Sequence, residues 1–253
     1  MGGNPIGHVI PGVGLLLVAL NITVAQILQH RGKISKTQAT AFGGFIYLVI
    51  SSVGMGAEIV DGASRGVPFS GKEHMTMYAV FSFAGFIHVA EALRRLPEET
   101  WRASLGLAMS GVGLMFYVHS QMQMMEEHHP TEGFVHWLLS VSCFAAAASF
   151  FLSWAIQSLR VGFIFVASAC TLHQSFWFFF LAYALYSGDY GTMGENLSMG
   201  NASAFYVWMF LVAMGIVAVL ECSFRVTTTP SHSQPLLYAK LSTLDAEKDG
   251  FGA

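Results

Sequence analysis

Charged side chains are scarce in this sequence. Only 11% of its 253 residues are Asp, Glu, Lys or Arg, whereas 54% are hydrophobic. A soluble globular domain carries about 25% charged residues. The composition therefore excludes a soluble domain and predicts an integral membrane protein. We expect the lipid bilayer as its main partner, and no nucleic acid.

Cysteine is also rare. The chain has three cysteines, Cys143, Cys170 and Cys222, all within apolar stretches. Their odd number and wide separation exclude a disulfide framework, and we expect them to be small buried residues. Lys and Arg are absent before the first apolar stretch. This absence argues against a secretory signal peptide, so we expect the first span to remain as an anchor.

Long hydrophobic runs are abundant. A helix needs about 20 mostly apolar residues to cross a bilayer, and seven stretches of this sequence qualify. The sequence therefore predicts an all-α polytopic membrane protein, a seven-transmembrane-helix bundle with its termini on opposite sides. The predicted spans are Ile10–Leu28, Ala41–Ile59, Met75–Leu93, Ala103–Val118, Val135–Ile156, Val161–Tyr186 and Ala204–Phe224.

The C-terminal segment differs in composition from the spans. We predict a membrane domain over residues 1–224 and a disordered cytosolic tail over residues 225–253, because the tail is too polar to fold alone. Within it, Tyr238 is followed three residues later by Leu241, the form of a tyrosine-based sorting signal. The tail is thus a candidate for binding protein partners.

The distribution of Lys and Arg predicts the orientation. If the N-terminus is outside or lumenal, ten basic residues lie inside and only Arg65 and Lys72 lie outside. The sequons at Asn196 and Asn201 then fall in an outer loop. We therefore expect a multi-pass protein of the secretory and endomembrane system or the plasma membrane, with a cytosolic C-terminus.

Histidines mark one side of the predicted bundle. Span order places His8, His74, His119 and His136 at the outer rim, with Glu58 and Asp61 at similar depth. Ionisable groups near hydrocarbon are costly and commonly functional. Imidazole and carboxylate ligands suit zinc and copper. The outer residues His8, His74, His119, His136 and Glu58 are therefore candidate metal ligands.

The segment between His119 and His136 is rich in Met and His. Thioether sulfur favours Cu(I), so this segment indicates zinc or copper without choosing between them. A structural alternative stays open, in which the histidines only hydrogen-bond backbone. No two of them have the short spacing of ligands on one helix, so a metal site depends on tertiary packing.

A second polar set lies deeper in the spans. His88 and Glu91 share one face of the third span, and His173 and Gln174 lie near the middle of the sixth. At 1.5 Å per residue, His88 is roughly 21 Å from His74, too far to share a metal ion. A polar path, a proton relay and a network that locks helices together are the three explanations for this set.

Several motifs together resemble a known family. They are Gly7–Gly12, His74–Tyr78, Phe116–His119, His136–Leu139 and Leu172–Trp177. In order and spacing they are similar to the transmembrane protein 45 family, also described as domain of unknown function 716. The resemblance extends to about residue 224. It implies a seven-span protein of the Golgi, trafficking compartments or cell surface, without an established activity.

This sequence departs from the family pattern at three places. They are His88, where relatives have an acidic residue, the segment from His173 to Phe176, and the Met-rich stretch after His119. Because that stretch belongs to this sequence and not to the family, the resemblance favours zinc over copper.

The functional prediction is a non-enzymatic role in membrane trafficking or organisation, with a metal site at the outer face. The alternatives are a zinc-dependent membrane hydrolase acting on lipids and a metal-handling protein. The intramembrane Ser, Asp and paired His pattern of seven-span hydrolases is not evident. A transporter would favour inverted repeats or helices broken in mid-span, and neither is evident in the sequence.

Overall fold

The protein is an all-α bundle in a computed structural model, which describes residues 6–64, 66, 72–125, 130–186 and 198–226. Seven helices in the described residues are long and apolar enough to cross a membrane, and this confirms the predicted seven-helix bundle. A short 3-10 helix, Gln157–Leu159, precedes the sixth. The long helices are α1 (Ile6–His30), α2 (Lys36–Ser64), α3 (Lys72–Ala92), α4 (Thr100–Met125), α5 (Pro130–Ala155), α6 (Arg160–Tyr186) and α7 (Met199–Val226).

A glycine, a helix C-cap and a capping box define the connection between α1 and α2. Gly32 adopts a φ of +65°, a left-handed conformation that glycine accepts without a Cβ penalty. Lys33 donates its backbone N–H to Leu28, as helix C-caps do. Ser35 and Gln38 then form a reciprocal capping box, with bonds of 2.9 and 3.1 Å. The chain therefore reverses within a few residues.

Six helices form a closed ring. Each of α1 to α5 packs on the next helix, and α6 closes the ring against α1, while α7 packs mainly on α6 from outside. In an 18-residue apolar stretch of α6, 72% of the residues are buried, whereas in the corresponding stretch of α7 only 11% are buried. The outer helix therefore presents Trp208, Leu211 and Val219 to its surroundings, as a lipid-facing helix does.

Small residues allow the helices to approach closely. A Cβ on Gly44 of α2 would lie 3.0 Å from the Gly85 carbonyl oxygen of α3, and a Cβ on Gly85 would lie 3.1 Å from that of Gly44. The Ala- and Ser-rich α5 buries Cys143, Ala146 and Ala147 almost completely. Such close contacts between small residues are typical of membrane helices, where packing replaces the hydrophobic effect.

Most helices extend beyond the predicted spans, and the largest difference is at the end of α4. The fourth span was predicted to end at Val118, but α4 continues to Met125. Six residues of the Met-rich segment after His119 are therefore helical and not a loop, since that stretch holds no Pro or Gly to end the helix. At the C-terminus, α7 ends at Val226. Tyr238 and Leu241 of the predicted sorting signal lie outside the described residues.

Candidate functional site

The predicted metal ligands meet at one end of the bundle, which we call the histidine end. The ring centroid of His8 lies 5.6 Å from that of His74 and 6.2 Å from that of His136, and His136 lies 4.9 Å from His119. Glu58 joins them through His74, with 2.9 Å between its Oε1 and the imidazole Nδ1. These five residues come from the first five helices, and we call them the histidine cluster.

Hydrogen bonds fix two of the imidazole rings. His74 donates its Nδ1–H to the Glu58 carboxylate, and His136 donates its Nδ1–H to the Glu132 carbonyl at 2.9 Å. Each bond selects the tautomer whose Nε2 carries a lone pair. Metal-binding histidines commonly have this arrangement, with one nitrogen bonded to a carboxylate or carbonyl and the other on the metal.

Apolar rings and a glycine support the cluster. Phe116 stacks on His136 with centroids 6.0 Å apart, and Phe178 lies 6.1 Å from His8. A Cβ on Gly7 would lie only 2.9 Å from the His74 ring, so the absence of a side chain there lets α1 approach α3. His8, His136 and Glu58 are all buried, and Asp61 is half-buried one turn further along α2.

The cluster does not present ready-made metal geometry. Across the described residues, no group of three His, Cys, Asp or Glu side chains is positioned to hold one ion. With Zn–N bonds near 2.0 Å, imidazoles on one tetrahedral zinc have ring centroids about 5 Å apart. The three spacings of 4.9, 5.6 and 6.2 Å in the cluster are at or above this value.

The sixth-span pair ties helices together. His173 donates its Nε2–H to the Tyr206 carbonyl of α7, and Gln174 donates to the Ser142 carbonyl of α5. Two further residues of the motif Leu172–Trp177, which were not among the predicted site residues, act in the same way. Ser175 donates to Gly12 in α1, and Trp177 donates to Val135 in α5. This stretch of α6 therefore bonds to three neighbouring helices, a structural role for polar residues in a membrane bundle.

The third-span pair lies elsewhere, beside a cavity of about 380 Å³. The Glu91 carboxylate accepts the backbone N–H groups of Glu99 and Trp101 at 2.7 and 2.8 Å, so it caps the N-terminus of α4. His88 donates its Nδ1–H to the Ala84 carbonyl, and its ring is 4.9 Å from that of Tyr47. The four deeper residues thus form two separate sites on different helices.

The same cavity is bordered by a network of ion pairs at the opposite end of the bundle, which we call the charged end. Glu99 accepts two bonds from Arg102, at 3.0 and 3.1 Å, and one from Arg160 at 3.0 Å. Lys36 lies 3.7 Å away. Burial alone would raise the pKa of Glu99, but the charges of Arg102, Arg160 and Lys36 outweigh it and lower that pKa.

Three buried hydroxyl groups lie between the two ends, and only one of their residues, Tyr78, belongs to a motif named above. Tyr47, Ser51 and Tyr78 are each at most 2% exposed. They line a second, smaller cavity between α1, α2 and α3. The helical periodicity of α2 could have identified two of them, since Tyr47 and Ser51 fall on the same helix face as Glu58.

No family model matches the sequence, and no solved structure matches the chain.

Proposed function

We propose that this chain is a seven-span membrane protein of the transmembrane protein 45 family that binds one zinc ion at its histidine end. The histidine end is the outer or lumenal face, and the C-terminus is cytosolic. The protein acts without catalysis in membrane trafficking or organisation. One observation carries the proposal: four histidines from four helices lie with adjacent rings 4.9–6.2 Å apart.

The metal in this proposal is bound by imidazole nitrogens. His74 and His136 supply Nε2, because their Nδ1 atoms already donate to Glu58 and to a backbone carbonyl. Rotation of His8 and His119 about their side-chain bonds completes the set. Glu58 then orients His74 and raises its basicity without ligating the ion.

Zinc is favoured over copper(I) by the positions of the methionines. Met122 and Met125 of the Met-rich segment are 61% and 81% exposed at the end of α4. They supply no sulfur to the buried cluster, and thioether ligands are what would select Cu(I). His128 and His129 lie outside the described residues.

The position of the larger cavity favours a structural role over the lipid-hydrolase alternative. The cavity of about 380 Å³ borders the charged end and is lined by residues such as His88 and Arg160, none of which belongs to the histidine cluster. A hydrolytic zinc site needs an open coordination position that water and substrate reach, and the cluster residues are packed on each other and on Phe116 and Phe178.

Metal content tests the zinc proposal. Protein purified in detergent without a polyhistidine tag or chelator is analysed by plasma mass spectrometry, as wild type and as His74→Ala, His136→Ala and His88→Ala. The last variant is the matched control, because His88 is on the same helix as His74 but bonds to Ala84 away from the cluster. Size-exclusion chromatography verifies that each variant remains folded.

We expect about one zinc per wild-type chain, retained in His88→Ala and lost in the two cluster variants. Wild-type protein without bound metal, or equal metal content in all four proteins, would overturn the zinc proposal. Stoichiometric copper in place of zinc would leave the site and change its metal.

The trafficking part of the proposal rests on the tail. Tyr238 and Leu241 have sorting-signal spacing, and the proposed orientation places them in the cytosol, where sorting adaptors bind. Imaging of a fluorescently tagged chain should show a shift in compartment for Tyr238→Ala and none for Tyr183→Ala, an exposed tyrosine of α6. An identical distribution of wild type and Tyr238→Ala would remove the sorting signal from the proposal.

A further inference from the structure

The cavity at the charged end has the size of a small-molecule site. Its volume is about 380 Å³, and such sites range from about 300 to 1,000 Å³. Its lining extends from the exposed Lys36 and Arg94 to the buried His88. Along α1 the lining reaches from Gln29 to Asn21, a depth of about 12 Å at 1.5 Å per residue. The cavity is therefore a pocket with an exposed rim and a buried floor.

The rim presents cationic groups with free hydrogen-bond donors. Arg94 is exposed and has no ion pair or hydrogen bond with any other described residue. The Lys36 Nζ and Arg160 Nη1 atoms both approach Oε1 of Glu99, at 3.7 and 3.0 Å, and the two side chains are 61% and 36% exposed. These three cations are thus available to a ligand at the rim.

The acidic side chains of the lining are largely occupied. Glu99 accepts three hydrogen bonds from two arginines, and Glu91 accepts two from backbone N–H groups. Glu98 is 82% exposed and forms an ion pair. The lining holds four Lys and Arg side chains and three Glu side chains, an excess of one positive charge. The rim therefore favours an anion, which accepts strong hydrogen bonds from cationic donors.

The floor offers polar groups that have no partner within the protein. His88 and Thr40 line it and are only 3% and 8% exposed. The His88 Nδ1–H is bonded to Ala84, which leaves Nε2 as an acceptor. Thr40 makes no hydrogen bond among the described residues. A Cβ on Gly43 would lie 3.1 Å from Asn21 Nδ2 and 3.4 Å from the His88 ring. Donors and acceptors therefore converge at the floor.

Threonines elsewhere in the spans are satisfied by their own helices. Thr23 and Thr171 donate to the carbonyls four residues earlier, at 2.9 and 2.8 Å. Thr40 makes no such bond, although burying a hydroxyl without a partner is costly. A ligand that carries hydroxyl groups would provide partners for the floor, whereas an acyl chain would leave its polar groups unpaired.

We propose that this cavity binds a phosphorylated polyol, with the phosphate at the rim and the hydroxyl groups at the floor. Lys36, Arg94 and Arg160 bind the phosphate. A phosphate monoester carries nearly two negative charges near neutral pH, and guanidinium groups match the geometry of its oxygens. Thr40 and His88 bond to the hydroxyl groups. Soluble sugar and inositol phosphates have this chemistry, and so do the head groups of phosphoinositide lipids.

Two binding measurements on the full chain test the proposal and distinguish the two sources. Isothermal titration in detergent uses inositol monophosphate as the soluble probe, with unphosphorylated inositol and inorganic phosphate for comparison. The lipid measurement uses protein reconstituted in phosphatidylcholine nanodiscs that contain phosphatidylinositol phosphate. Native mass spectrometry then counts the phosphatidylinositol phosphate that the released protein retains.

Two variants remove one interaction each. Arg94→Gln removes a rim charge that belongs to no ion pair, and Thr40→Val removes a floor hydroxyl at nearly constant volume. Arg95→Gln is the control for the first, because Arg95 is exposed and outside the lining. Thr23→Val is the control for the second, because Thr23 is buried and also outside the lining.

We expect wild type to bind inositol monophosphate more tightly than inositol or inorganic phosphate. Arg94→Gln should weaken the affinity about tenfold and Thr40→Val about fivefold, while the two controls should match wild type. Retention of the lipid without binding of the soluble probe, with the same order of variants, would identify the head group as the ligand.

Three outcomes would overturn the proposal: no binding in either measurement, equal affinity for inositol with and without phosphate, or equal affinity of the two variants and their controls. The zinc measurement depends on His74 and His136 at the histidine end, where none of the cavity residues lies. The polyol phosphate site and the zinc site therefore fail or succeed independently.

Discussion

The two ends of the bundle handle polar groups in opposite ways. At the charged end, Arg102 is 5% exposed and is bonded to Glu99 and to the Ser153 carbonyl. At the histidine end, the buried groups are imidazoles around the Glu58 carboxylate. Guanidinium is always charged, whereas imidazole is charged or neutral. The charged end is therefore built on fixed pairs, and the histidine end on groups whose protonation or ligation can change.

This difference distinguishes residues that stabilise the fold from residues that determine binding. A buried fixed charge must remain paired, so its loss should damage the fold. A neutral imidazole hydrogen-bonded to a carboxylate tolerates loss of the carboxylate charge as long as an acceptor remains. Substitutions of the paired charges at the charged end should consequently act on folding, and substitutions at the histidine end on what the site binds.

Breaking the fixed network should have the largest effect. Arg102→Met keeps much of the side-chain volume and removes the charge, so one ion-pair partner of Glu99 disappears from a buried position. We expect the free energy of unfolding to fall by about 3 kcal/mol, measured by equilibrium unfolding in mixed SDS and detergent micelles. Arg95→Met is the control, because Arg95 is exposed in the connection between α3 and α4. Its free energy of unfolding should change little. Equal stability of the two variants would contradict the network's structural role.

The close contact between α2 and α3 at Gly54 is tested by a second substitution. Gly54→Ala places a methyl group where the Tyr78 ring lies, so α2 and α3 must separate or the ring must move. Overpacking of this kind costs about 2 kcal/mol. Gly56→Ala, two residues along the same helix, meets nothing within 4 Å and should be neutral or slightly stabilising. The two variants differ only in the face they occupy, so similar unfolding midpoints would argue against the close contact.

Much of this arrangement could be predicted from the sequence, and the reason is physical. Seven apolar runs fix seven spans, and span order alone places His8, His74, His119 and His136 at one end. The helix-to-helix contacts could not be predicted, because they depend on which face of each helix points inward. That is why His88 and His173 formed one predicted set but lie at separate sites, and why the buried hydroxyls of Tyr47 and Ser51 were not predicted.

Glu58→Gln at the histidine end is the counterpart of Arg102→Met at the charged end, and it should affect zinc binding more than stability. Glu58→Gln keeps an acceptor for the His74 Nδ1–H and removes the charge. We expect the free energy of unfolding to change by less than about 1 kcal/mol, while zinc affinity falls roughly tenfold or more, as for other partners of metal-bound histidines. Isothermal titration with zinc measures the affinity. A strong loss of stability would show that Glu58 belongs to the fold in the way Arg102 does.

Acid should weaken the charged end through Glu99, with the smallest of these effects. The pKa of Glu99 is lowered in the folded protein, because its three cationic neighbours outweigh its burial. A carboxyl whose pKa is lowered by folding contributes stability above its unfolded pKa, about 4.3, and loses that contribution as the pH falls through the folded value. We expect the stability difference between wild type and Glu99→Gln to be constant from pH 7 to about 5 and to narrow below pH 4. Unfolding curves of both proteins across this range provide the measurement, and a difference that widens in acid would mean that the Glu99 pKa is raised and that burial dominates over Arg102, Arg160 and Lys36.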